Sequence, residues 1–118
     1  MGTLFAANCS RRPEPAALVE IRHEISPEPA RVGPVSISLK LADAAGKPIN
    51  GARISIEADM SHAGMSPVFA ETKETDPGHY QANLELRMAG DWVIFLHVTL
   101  PGGEKLERWI DVRGVRPN

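Results

Sequence analysis

Cysteine is nearly missing from this chain of 118 residues: there is one, Cys9, so no internal disulfide and no cysteine-based zinc cage can form. No apolar run approaches the ~18 residues that a membrane-crossing helix needs. An excess of charge of one sign is missing too. The formal net charge is −2, which gives no reason to propose nucleic acid or an anionic membrane surface as a partner. Helical periodicity is absent beyond residue 17, and no paired carboxylates or aligned nucleophile and base point to catalysis. Ser61 and His62 are adjacent in sequence, which does not line up a hydroxyl with its base, so the chain is read as a non-enzyme. What remains is a hydrophobic fraction of 42% with 24% charged residues, the balance of one globular domain.

Residues 1–17 read as a tail and linker. The short apolar stretch Leu4–Ala7 runs into Cys9, and Pro13 and Pro15 block regular structure in the segment after it. Ala6 and Ala7 ahead of Cys9 fit the end of a lipoprotein signal, whereas Asn8 does not. Two readings stay open: a signal remnant with Cys9 as a candidate lipid anchor, or a terminus with a plain thiol.

From residue 18 to 113 the pattern has period two. Val19, Ile21, His23 and Ile25 alternate with polar residues, as do Val35–Leu41, Ile54–Ala58 and Tyr80–Leu86. Val68–Lys73 is a weaker strand. Trp92–Leu100 is apolar on both faces, as suits a central strand. Leu106–Val112 closes the set, with Arg108 in the inward phase, a sign of an edge or a bulge. Turns rich in Pro, Gly and Asp separate these segments. The expected fold is all-β, an immunoglobulin-like antiparallel β-sandwich of about seven strands, with residues 114–118 as a short tail. Asp76-Pro77-Gly78-His79-Tyr80 fits either a tyrosine corner or a plain turn followed by a core tyrosine.

Four methionines and four histidines are the chemical resources. If consecutive strands run antiparallel, residues 26–34, 60–67 and 87–91 fall at one end, here called the top. Residues 42–51, 74–79 and 101–104 fall at the bottom. Met60, His62 and Met65 then lie in one top connection and Met88 in another, with His23 near the top of the first strand. Met60, Met88 and His23 each continue an inward register, so their side chains are expected to lean into the top opening. Thioether sulfur is soft and uncharged. With imidazole it favours Cu(I) and offers little to Zn²⁺, Ca²⁺ or Mg²⁺. Met60, His62, Met65 and Met88, with His23 as a further candidate, form a predicted Cu(I) site. A Cu(II) or Zn²⁺ variant would use Asp59, His62 and His23. The competing reading packs Met60 and Met88 into the core of a metal-free accessory or adhesive module. His79, at the bottom, and His97, in phase with Val93 and Phe95, are set aside, and Trp92 is read as core.

Gly46-Lys47-Pro48-Ile49-Asn50-Gly51-Ala52, then Met60-Ser61-His62-Ala63-Gly64-Met65, then Gly78-His79-Tyr80, then Met88-Ala89-Gly90-Asp91-Trp92 resembles, in that order, the YtkA-like/FixH-like domain family over roughly residues 33–113. The resemblance implies a small extracytoplasmic β-sandwich, periplasmic or lipid-anchored. It also implies a role in metal homeostasis, with a copper-receiving or efflux protein as partner. FixH-type proteins carry a transmembrane helix, and this sequence contains none.

Overall fold

A computed structural model describes residues 19–60 and 66–117. The domain is all-β, a sandwich of two antiparallel four-stranded sheets. The strands are β1 (Glu20–Ser26), β2 (Gly33–Ala42), β3 (Arg53–Met60), β4 (Val68–Glu71), β5 (Lys73–Asp76), β6 (His79–Leu86), β7 (Gly90–Thr99) and β8 (Lys105–Val115). The first sheet has the order β1-β2-β6-β5 and the second β4-β3-β7-β8. Among the described residues no helix is long and apolar enough to cross a membrane.

Period-two alternation sets this architecture. Val35, Ile37, Leu39 and Leu41 of β2 face Ile54, Ile56 and Ala58 of β3 and Trp92, Ile94, Leu96 and Val98 of β7 in one core. All of these side chains are buried. A one-residue slip would turn each set to solvent, so burial itself fixes the register.

The expected Val68–Lys73 strand is two strands on different sheets. Thr72 is the switch: its backbone N–H and its Oγ1 both donate to Ile54 O, each at 3.1 Å. The chain leaves β3 there and joins β6 as β5. Arg108 does mark an edge. It lies on β8, the last strand of its sheet, and its Nη2 donates to Val19 O at 3.1 Å. That strand runs on to Val115, past the expected end at Val112. It passes an irregularity in its pairing with β7, where Gly114 (φ +66°) donates its N–H to Asp91 Oδ1 at 2.8 Å.

The registers also establish the two ends. Leu86 pairs with Gly33, Met60 with Trp92, Gly90 with Val115 and Arg31 with Arg116. β1, β3 and β6 therefore end at the top, and β2, β4 and β7 begin there. Tyr80 pairs with Leu39 and Arg53 with Thr99 toward the bottom.

Candidate functional site

At the top, Met60 ends β3 with its side chain in the core, 8% exposed, and opposite Trp92. A Cβ built on Gly90 would sit 3.2 Å from the Met60 methyl carbon. Gly90, at φ +128°, thus provides the space that Met60 occupies. Trp92 is buried, and its indole Nε1 donates to Met88 O at 2.9 Å. This bond ties the turn that carries Met88 to the core. Trp92 is a core residue, as expected, and it also anchors the methionine-bearing turn.

The structure corrects two orientation expectations. Met88 does not continue the inward register of β6, because that strand ends at Leu86; its side chain is 43% exposed. His23 is exposed instead of leaning into the top opening. It pairs with Leu39, three positions before the strand-ending pair Ser26 and Ser36, so it lies about 10 Å below the top turn. Its strand is an edge strand, and Ile21 and Ile25 in the same phase are only partly buried. Met60 and the Met88 turn are therefore both tied to Trp92, Met60 by strand pairing and Met88 through its carbonyl, while His23 stands apart. His62 and Met65 lie outside the described residues.

The Cu(II) or Zn²⁺ arrangement is not assembled by its described members. Asp59 is on the outer face of β3 and His23 is on the edge of the other sheet. Among the described residues no group of three or more His, Cys, Asp or Glu side chains is arranged to hold a metal ion. Burial raises the Asp59 carboxyl above its ordinary value, and the hydrogen bond to Glu57 and that residue's charge push it further the same way.

The bottom end is built differently. Tyr80 is 2% exposed; its hydroxyl donates to Ile49 O at 2.7 Å and accepts from Ala52 N at 3.0 Å. A tyrosine corner bonds backbone a few residues upstream. Tyr80 instead reaches back about thirty positions and staples the β2–β3 connection. Glu74 accepts from Gly51 N at 3.0 Å and from Gly78 N at 3.2 Å. Gly78, at φ +76°, packs so closely that a Cβ there would meet Pro48 Cβ at 2.7 Å and Leu41 O at 2.9 Å. Gly46–Ala52 and Gly78–Tyr80, separate in sequence, are one structural joint.

His97, set aside from the sequence, lies on the outer face of β7 between two carboxylates. Its Nδ1 is 2.8 Å from Glu107 Oε2 and its Nε2 is 3.2 Å from Glu57 Oε1. The signal was available, because Glu57 and Glu107 share the outward phase of their strands.

No curated protein matches the chain. Among solved structures, a chain described as murine CRIg is similar over 84% of this chain and 98% of that one, with 12% identity and a TM-score of 0.45. A sequence profile described as YtkA-like matches residues 18–97. That span takes in the bottom joint and the top methionines together, and this chain belongs to the YtkA-like family.

Proposed function

We propose that this domain is an extracytoplasmic Cu(I)-binding protein, a chaperone or buffer that passes the ion to a copper-receiving or efflux protein. Met60, His62, Met65 and Met88 form the proposed ligand set. The observation that supports it most is that Trp92, paired with Met60 across the sheet, also anchors the turn that carries Met88, whose side chain is exposed. An exposed, flexible, soft donor has little packing value where it stands. Beside a second thioether it suits a soft monovalent ion. His62 and Met65, which follow Met60 closely in the sequence, are the remaining two proposed donors. His23 is left out of the set because of its place along β1. Bound Cu(I) would supply a coordination centre whose ligands exchange one at a time with those of a partner, and no redox step is required.

The test is an anaerobic Cu(I) titration against a chromophoric chelator. The wild type is compared with Met60→Leu, which keeps the core volume, and with His62→Ala/Met65→Ala/Met88→Ala. One tight equivalent in the wild type, weakened at least tenfold in the triple variant, is the expected result. A wild type that takes up no Cu(I) overturns the proposal and leaves the methionines as packing residues of a metal-free accessory module.

A further inference from the structure

The outer face of the β4-β3-β7-β8 sheet is ordered in rows by its register. The middle row runs Phe69–Glu57–Phe95–Trp109 across all four strands. Above it lies Asp59–Val93–Asp111, and below it Glu71–Ser55–His97–Glu107. Phe69 is 68% exposed and Trp109 65% exposed, and Phe95 and Val93 are half-buried beside them. Phe95 and His97 stack with centroids 6.4 Å apart.

Two properties of this face go together. Three large aromatic side chains in one row of a sheet face, two of them well exposed, are uncommon on a protein that has no use for them. The three rows also hold the carboxylates of Glu57, Asp59, Glu71, Glu107 and Asp111 and contain neither lysine nor arginine. Arg53 and Lys105 appear only in the next row toward the bottom. Crowded like charges on one sheet face are unfavourable unless a partner answers them. His97 answers two of the carboxylates, Glu57 and Glu107, and Ser55 donates to Glu71 at 2.8 Å.

We propose that this face docks a protein partner through a basic, apolar segment whose lysine or arginine side chains lie against Trp109, Phe95 and Phe69 and pair with the carboxylates between them. Cations are attracted to aromatic faces, and a guanidinium or ammonium that also meets a carboxylate gains twice. The charge decides among occupants. An anionic membrane or a nucleic acid is repelled, and a second copy of this chain would set the same carboxylates against each other. The site is separate from the methionines and does not depend on them.

Trp109 is the natural reporter, because the other tryptophan, Trp92, is buried. A nine-residue synthetic peptide alternating Lys and Leu is titrated into the full chain, and acrylamide quenching of tryptophan fluorescence is followed. A peptide alternating Glu and Leu is the control. The expected result is protection of Trp109 by the basic peptide alone, with affinity falling as salt rises. Trp109→Ala should weaken binding at least tenfold, read by peptide anisotropy. Glu57→Gln/Glu107→Gln should weaken it and flatten the salt dependence, while Glu85→Gln on the opposite sheet leaves it unchanged. Equal binding of the two peptides, or no binding at about 1 mM, overturns the proposal. So does a concentration-dependent dimer of the chain alone that shields Trp109.

Discussion

The two ends of this sandwich use different chemistry to hold their connections. At the bottom, three hydrogen bonds made by Tyr80 and Glu74 tie the β2–β3 connection to β5 and β6, and a fourth, from Gly78 N to Glu74, closes the turn between those strands. Gly78 is pressed between Pro48 and the Leu41 carbonyl. At the top, the Trp92 indole donates to Met88 O and Gly114 N donates to Asp91 Oδ1, and the glycine there faces the end of a flexible methionine. Directional bonds and rigid neighbours make the bottom specific. The top sets a soft, exposed Met88 beside a core edge closed by Met60, an arrangement in keeping with the proposed exchangeable ligand set. The two glycines condense the contrast: both have positive φ, but at one the obstruction is a ring and a backbone oxygen, at the other a methyl group that can move.

The sharpest way to break this comparison is to put the same methyl group at both ends. Gly78→Ala should cost about 3 kcal/mol, combining left-handed backbone strain with a clash that nothing can relieve. Gly90→Ala should cost roughly half as much, because Met60 can give way. Urea denaturation of the two variants checks the order, and equal losses would mean that the ends are equally rigid.

Removing the Tyr80 hydroxyl comes next. Tyr80→Phe leaves Ile49 O and Ala52 N without their partner and should cost about 2 kcal/mol. Burial, with the nearby Glu74 charge acting the same way, raises the Tyr80 hydroxyl above its ordinary pKa of 10.0. A pKa that is higher in the folded state contributes stability in full below pH 10.0 and loses it as pH rises through the folded value. Alkaline titration of stability should therefore fall more steeply above pH 10.0 in the wild type than in Tyr80→Phe.

The smallest effects belong to the top. Met60→Leu should cost under about 1.5 kcal/mol, as a swap that nearly conserves volume. Met88→Ala should stay within about 0.5 kcal/mol, because its side chain is largely exposed. A large loss of stability in Met88→Ala would give that side chain a packing role and weaken the contrast between the ends.

Alternation made most of the fold legible. Where a strand has neighbours on both edges and a facing sheet, as with Leu39, Ile56 or Leu84, phase alone predicts burial. Phase fails in three identifiable places. At His23 burial is incomplete, because β1 is an edge strand whose inward residues Ile21 and Ile25 are themselves only partly buried. At Met88 the strand has already ended, so its phase no longer applies. Between Glu71 and Lys73 the chain changes sheets without breaking the polar and apolar pattern, and the hydrogen bonds of Thr72 to Ile54 O that mark the switch are long-range. The apolar character of Trp92–Leu100 on both faces was read as centrality in a sheet. β7 is central, yet Val93 and Phe95 belong to the open outer face. Being flanked on both edges and being covered on both faces are separate conditions. The methionine end was legible as a location, since antiparallel order alone assigns it, but the inward or outward aim of each side chain was not.

The path of the chain at its two described limits gives the molecule a direction. Val19 enters β1 at the stapled pole, where Arg108 holds its carbonyl; Arg116 leaves at the opposite pole, bonded to Ala30 and Val32. Strands of seven to eleven residues separate these poles by roughly 25–35 Å. A tether attached ahead of Val19 would grip the rigid pole and hold the sulfur-bearing pole outermost, like a lamp at the end of its post. Approach to Met88 by another macromolecule is then least hindered along the long axis.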